Sequence, residues 1–183
     1  MFNNQSKTKD KIFELVLFAI MLGAEIVLSR FFTVYITQNI KISLAFIPLA
    51  IACRRNIAGG VAVGVLGDII GALLFPVGPY FYGFTLTAAV NAVIFSLVMQ
   101  GDIKGKKGFA KATVASVIQQ LIGGVILNTV WLCYLYGGPI KVVAISRLIM
   151  AAIMIPVQTL LLSPTLRIVD KTIDTYNQNK QAN

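Results

Sequence analysis

The sequence predicts an all-α membrane protein: six transmembrane helices in one bundle, with both termini in the cytoplasm. Four observations lead there. Of 183 residues, 57% are hydrophobic and only 13% are charged, too few charges to cover a soluble domain of this length. The apolar residues fall in continuous runs rather than alternating, which argues against a transmembrane barrel. Several runs approach or exceed the roughly 20 residues that cross a bilayer as a helix. The basic residues, finally, divide unevenly between the two sides that these runs define.

The elements follow in order. Residues 1–10 form a polar N-terminal tail. The first helix is predicted over Lys11 to Phe32; no small-residue cleavage site follows it, so it reads as a retained span and not a signal peptide. The second, Ile42 to Cys53, is short, and either tilts or is completed by an ordered non-helical segment. Arg54-Arg55-Asn56 makes a tight basic turn. The third helix, Ile57 to Phe75, carries Gly60, Gly64, Gly67 and Gly71 as a stripe that lets a neighbouring helix approach closely. An uncharged loop follows, with Tyr80, Phe81, Tyr82 and Phe84 punctuated by Gly78, Pro79 and Gly83. The fourth helix is Phe84 to Met99, and a polar, glycine-punctuated loop follows it. The fifth, Phe109 to Tyr136, is closed by Gly137-Gly138-Pro139. The sixth is Lys141 to Ile168, with Pro156 as a kink and Pro164 near its end. Residues 11–168 thus form one transmembrane domain, and 169–183 a polar C-terminal tail.

An even number of spans puts both termini on one side. That side holds Lys7, Lys9, Lys11, Arg54, Arg55, Lys104, Lys106, Lys107, Lys111, Arg167, Lys171 and Lys180, which is 12 of the 16 Lys and Arg. The positive-inside rule assigns it to the cytoplasm. The net charge of +9 is therefore read as topology and not as a nucleic-acid footprint. Arg30, Lys41, Lys141 and Arg147 remain for the outer half. No internal repeat is evident, so an inverted-repeat carrier gains no support.

Several chemistries are excluded. There is no histidine and there are two cysteines, each within an apolar run. Histidine acid–base catalysis, the usual zinc sites and a disulfide framework are therefore not expected. The run from Gly101 to Lys107 has three residues between its glycines where a P-loop needs four, and no Ser or Thr after the lysine. Active transport would then draw its energy from another subunit or an ion gradient. No catalytic residue, cofactor or metal is assigned.

The candidate binding residues are polar, basic and aromatic groups in or beside the spans. Apart from Glu14 in the first turn of the first helix, Asp68 and Glu25 are the only acids inside the predicted helices, and a carboxylate at mid-bilayer costs on the order of several kcal/mol unless paired or hydrated. Asp68 reads either as an ion pair with an arginine or as an acceptor for an N–H-bearing heterocycle. Tyr80, Phe81, Tyr82 and Phe84 read as an interfacial belt or as a lid or stacking platform. Gln120, Gly124, Asn128, Trp131 and Leu135 share one helical face, either helix–helix glue or a wall for a planar polar ligand. Arg30 and Arg147 would draw an anion into an outward cavity; Lys41 and Lys141 join them or snorkel to the interface. Ala19 and Gly23 are a small-xxx-small pair, a packing face inside the fold or against another protein.

Taken together, several stretches resemble a known family. They are Leu28-Ser29-Arg30-Phe31, Ile42-Ser43, the Gly-Asp-x-x-Gly of Gly67 to Gly71, the run from Gly78 to Leu86, Asn128-Thr129-Val130-Trp131-Leu132, and Leu135-Tyr136-Gly137. They resemble the folate-specific substrate-binding S components of energy-coupling factor (ECF) transporters, over about Leu15 to Gln158. Two positions depart from that pattern: Tyr82, where the family commonly has proline, and Gly23, where a second alanine is usual. The resemblance implies an S-component-like six-helix bundle that binds folate from outside. It also implies a transmembrane coupling protein and two ABC-type ATPases as partners, and a loaded subunit that topples in the bilayer to release its ligand inward. On this reading Asp68, Asn128 and Gln120 hydrogen-bond the pterin edge. Trp131, Phe81, Phe84 and Tyr136 stack on it, and Arg30, Lys41 and Arg147 meet the carboxylates. Ala19 and Gly23 face the coupling protein. An ideal helix puts Gly23 and Arg30, seven residues apart, on one face, so the two roles together call for a break before Arg30. The alternatives are another planar vitamin (riboflavin- or pyridoxine-like), a small membrane enzyme, or a channel. The enzyme lacks a paired carboxylate or nucleophile motif, and the channel lacks a polar lining on the fourth and sixth helices.

Overall fold

Glycine-lined packing organises the bundle in the computed structural model, which describes residues 2–35, 41–76, 78–101, 103 and 105–182. The chain runs α1 Phe2–Arg30, β1 Thr33–Tyr35, β2 Lys41–Ser43, α2 Phe46–Arg55, α3 Ile57–Leu74, α4 Tyr82–Val98 and α5 Gly105–Gln119. A π-helical stretch Gln120–Leu127, α6 Asn128–Tyr136 and α7 Ile140–Ala182 complete it.

Among the described residues four helices are long and apolar enough to cross a membrane: Asp10–Arg30, Ile57–Leu74, Lys106–Tyr136 and Ile140–Thr172. The helix Tyr82–Val98 is apolar but shorter. With only 10 residues, α2 reaches about 15 Å, half of a hydrocarbon core. The chain before it is ordered as an antiparallel ladder, Thr33 opposite Ser43, Val34 opposite Ile42 and Tyr35 opposite Lys41. This ladder is the ordered non-helical segment that a short second helix calls for, within an otherwise all-helical chain. Where α2 is too short, backbone N–H and C=O groups still need partners at depth, and strand pairing supplies them.

Both polar tails continue the helices that they flank. α1 begins at Phe2 and α7 continues to Ala182. Neither extension contains Gly or Pro, so an established helix propagates through them at little cost. α7 also runs through Pro156 and Pro164. At the other junctions the sequence signals hold. Asn56 caps α3 by accepting a hydrogen bond from the Gly59 N–H at 2.6 Å, and Gly137 ends α6 in the left-handed region at φ 64°, as a glycine just past a helix does.

α3 is the organising element because its missing side chains are filled from elsewhere. A Cβ at Gly59 would fall on the Phe18 ring, and one at Gly67 on the Glu25 carboxylate. One at Gly71 would lie 2.9 Å from Arg30 Nε, and one at Gly64 3.1 Å from Leu49 Cδ1. α1 therefore lies in a groove that a single methyl group would close. The buried apolar cluster sits between α2, α4, α5 and α7, around Cys53, Phe95, Met99, Ala112, Leu162 and Leu166. Large apolar side chains such as Leu15, Ile20, Leu73, Leu97 and Leu160 are exposed on the outside of the bundle, a surface suited to lipid and not to water.

Candidate functional site

A cavity of about 210 Å³ opens between α1, α2, α3, α4, the end of α5, the π stretch, α6 and α7. Its polar wall is Glu25, Ser43, Asn91, Gln119, Gln120, Asn128 and Gln158; Phe46, Leu49, Phe95, Met150 and Met154 form apolar faces. Pockets for drug-sized ligands run to roughly 300–1,000 Å³, so this one encloses the head of such a ligand and not its whole length.

Glycines put the polar groups there. Gly67 leaves the space that the Glu25 carboxylate occupies. A Cβ at Gly123 would fall on Asn91 Oδ1, and one at Gly124 would lie 2.5 Å from Gln120 Oε1. The π stretch does the rest. The Asn128 N–H donates to the Gly123 carbonyl five residues back. In an α-helix, residues nine apart point in about opposite directions, so Gln119 and Asn128 could not share a wall. The wider π turn advances each residue by less and brings both to the cavity; such irregularities recur at functional sites. Asn91 Oδ1, Gln119 Oε1 and Gln158 Oε1 are buried without a hydrogen-bond partner. Buried carboxamides are normally satisfied, so three such oxygens around one cavity suit a ligand that brings N–H donors.

Of the residues predicted from sequence, Gln120 and Asn128 line the cavity. Asp68 lies outside its lining: it accepts a hydrogen bond from Thr85 Oγ1 at 2.6 Å, and the Tyr80 hydroxyl is 2.9 Å from the same Thr85 oxygen. Among the described residues the partner of Asp68 is thus a hydroxyl and not an arginine. Phe81 is the hub of a ring cluster, with centroids 4.8 Å from Tyr82, 5.7 Å from Trp131, 6.0 Å from Phe84 and 5.7 Å from Tyr134. Gly83 makes room, since a Cβ there would fall on the Phe81 ring and lie 2.8 Å from Trp131 Cδ2. Trp131 Nε1 donates to Thr87 Oγ1 at 3.1 Å. Tyr136 is exposed, its hydroxyl near Gly78.

The basic residues are placed differently from one another. α1 runs unbroken to Arg30, so no break separates it from Gly23. Instead, the long Arg30 side chain reaches across to Gly71, with its Nε buried and without a hydrogen-bond partner, while Gly23 points into open space. Arg147 is buried, its Nη1 3.4 Å from Met150 Sδ and its Nε without a partner. It extends by one turn the α7 stripe whose Met150, Met154 and Gln158 line the cavity. Lys41 belongs to β2; its side chain lies outside the described residues. Ala19 and Gly23 are both exposed on α1.

Glu25, Asn91, Gln119 and Gln158 were not among the expected site residues. Glu25, Asn91 and Gln158 carried a legible signal, a polar group inside an apolar helix. Gln119 carried the same signal, but α-helical spacing points it away from Asn128. Among the described residues no cluster of His, Cys, Asp and Glu could hold a metal ion.

No family model matches the chain. Two curated proteins do. The folate transporter FolT of Clostridium novyi (strain NT) is 33% identical over 164 residues, covering 88% of this chain and 92% of that protein. The folate transporter FolT of Leuconostoc mesenteroides subsp. mesenteroides is 31% identical over 125 residues, covering 67% of this chain and 65% of that protein. Among solved structures, a crystal structure of FolT bound with folic acid superposes with a TM-score of 0.74 at 27% identity, covering 86% of this chain and 92% of that one.

Proposed function

The chain belongs to the FolT family of folate transporters, and from that premise we propose that it captures folate from outside the cell and passes it inward through an ATP-driven complex. It is a membrane transport protein and not an enzyme. The observation that carries the reading is the carboxamide-lined cavity with its three unpartnered oxygens. Folate offers a flat pterin edge rich in N–H donors, a benzoyl middle and an anionic glutamate tail. The pterin enters the cavity against Asn91, Gln119, Gln120 and Asn128. The benzoyl group passes the rings of Phe81, Phe84 and Trp131, with Tyr80 and Tyr136 at the outer rim. Asp68 anchors that rim through Thr85. Arg30, Arg147 and Lys41 attract the carboxylates.

In the proposed topology six helices cross the membrane and both termini are cytoplasmic, which the distribution of Lys and Arg supports. Residues 11–168 act as one substrate-binding unit. Energy comes from two ABC-type ATPases through a transmembrane coupling protein, which docks on the exposed α1 face bearing Ala19 and Gly23. Two arginines, Arg54 and Arg55, lie at the cytoplasmic end of this arrangement.

The test is a titration of the purified chain in detergent, following the fluorescence of Trp131, the single tryptophan. Stoichiometric quenching by folate, with none by riboflavin or thiamin, is the expected result. A well-folded sample that does not bind folate overturns the reading.

A further inference from the structure

We infer that Arg147 receives the α-carboxylate of the ligand's glutamate, the one nearer the benzoyl group, and leaves the γ-carboxylate to the outer rim; the inference rests on the folate reading and deepens it. Arg147 is only 7% exposed, on a helix long and apolar enough to cross the membrane. Its Nε has no hydrogen-bond partner, and its Nη1 lies 3.4 Å from Met150 Sδ. The ion pairs formed among the described residues tie Arg54 to Asp170 and Arg55 to Glu14, toward the other end of the bundle. A thioether is a weak acceptor. It does little to offset the desolvation of a guanidinium, and a charge at this depth ordinarily meets an anion or strong acceptors.

Met150 both touches Arg147 and lines the cavity. A single side chain thus stands between the guanidinium and the ligand space. Methionine turns about three single bonds and refits to irregular surroundings, so Met150 can move aside without moving the backbone. The helix aims all of these groups the same way. At about 100° per residue, Arg147, Met150, Met154 and Gln158 fall within roughly 80° of one another.

Length selects the carboxylate. Gln158 holds one of the unpartnered oxygens in the cavity wall. Arg147 lies eleven residues before it, about 16–17 Å along the helix. Extended folate spans about 17 Å from its pterin amino group to its α-carboxylate at ordinary bond lengths. A pterin seated at Gln158 therefore brings the α-carboxylate to the height of Arg147, and a planar guanidinium grips a carboxylate with two parallel hydrogen bonds. The γ-carboxylate lies beyond this point, so γ-linked additions to the glutamate are tolerated and changes at the α-carboxylate are not.

The experiment titrates folate, its α-monoamide and its γ-monoamide against the wild type and Arg147→Met, following Trp131 fluorescence. The wild type is expected to prefer folate to the α-amide by about 30-fold, the loss of a charge-assisted pair, and to bind the γ-amide within about 2-fold of folate. In Arg147→Met the affinity for folate should fall to that for the α-amide. The unfolding temperature of the ligand-free variant should hold or rise, because an apolar side chain of similar length replaces a buried charge. A wild type that binds folate and the α-amide equally, or that penalises the γ-amide instead, overturns the inference and leaves the folate reading standing. So does Arg147→Met with the preference intact, or with all three ligands weakened equally and a lower unfolding temperature, the mark of a structural role. A well-folded wild type that binds none of the three overturns both readings.

Discussion

Arg54 grips Asp170 with two parallel hydrogen bonds, Nε to Oδ1 at 3.0 Å and Nη2 to Oδ2 at 2.9 Å, and so fastens the end of α2 to the extension of α7. Its Nη1 also donates to the Met99 carbonyl at 2.8 Å, which brings in the end of α4. The neighbouring Arg55 donates to Glu14 of α1 at 3.0 Å. Two consecutive residues thus tie four helices at one end of the bundle. The sequence marked Arg54 and Arg55 only as topogenic charge; their partners lie 116 and 41 residues away and were beyond the reach of spacing rules.

The Arg54 pair is the stronger of the two, being bidentate with side chains only 17% and 20% exposed. Arg54→Ala should lower stability in detergent by about 2 kcal/mol, since it leaves Asp170 and a carbonyl without their donor. Arg54→Lys should fall between, because an ammonium keeps the charge but not the fork. Arg55→Ala should cost less, about 0.5 kcal/mol, given the more exposed Glu14. Thermal unfolding of the three variants checks the order; Arg54→Lys matching the wild type would show that the fork geometry contributes nothing.

The chain Tyr80–Thr85–Asp68 makes a separate prediction about ligand exchange. Thr85 donates to Asp68, so the Tyr80 hydroxyl donates to Thr85. Thr85→Val removes both bonds while nearly keeping shape, and should speed folate dissociation about 5-fold, the equivalent of roughly 1 kcal/mol. Asp68→Asn retains an acceptor and should behave more mildly than Asp68→Ala. Stopped-flow release rates decide the matter. If Asp68→Asn weakens binding as much as Asp68→Ala, the charge itself meets the ligand and the anchoring account fails.

How far the sequence could be read depended on regularity. Apolar runs and turn glycines located every long helix, because burial and backbone pairing at depth leave few other options. Glycine spacing on α3 signalled close packing, and Gly67 and Gly71 do sit against α1. Gln120 and Asn128 were legible as a polar face, and both reach the cavity. Gln119 was not, since the π turn that recruits it has no sequence signature beyond Gly123-Gly124. The hairpin of β1 and β2 was legible only as a gap, an α2 too short to cross. Asp68 drew the eye as a lone acid in a span, yet the carboxylate in the cavity wall is Glu25, brought there by the groove in α3. Which of two half-buried acids lines a cavity is a matter of tertiary packing, and residue type does not encode it.

The exposed face of α1 predicts a separation of binding from coupling. A Cβ at Gly23 meets nothing within 4 Å, and Ala19 is exposed one turn earlier. Gly23→Trp should therefore leave folate affinity within about 2-fold, as surface changes usually do, while an indole on this face blocks close approach of a partner helix. If the proposed coupling protein docks on this face, co-purification with it and with the proposed ATPases, and cellular folate uptake, should both be lost. Uptake at the wild-type level would remove this face from the coupling interface, and lost binding would show that Gly23 packs within the fold.

Gly123 offers a test in which stability and affinity move apart. A methyl group there falls on Asn91 Oδ1, so Gly123→Ala must turn the Asn91 amide out of its place in the wall. The same change replaces glycine by the best helix former, a gain of up to about 1 kcal/mol in helix propensity. Affinity for folate should drop about 10-fold, the loss of one hydrogen bond from a buried amide, while the unfolding temperature holds or rises. A general packing defect would instead lower both together. The double variant separates the cases further. With Asn91→Ala already in place, the amide that Gly123→Ala displaces is gone, and the second substitution should cost no further affinity. Additive losses would show that Gly123 acts on the ligand by some route other than Asn91.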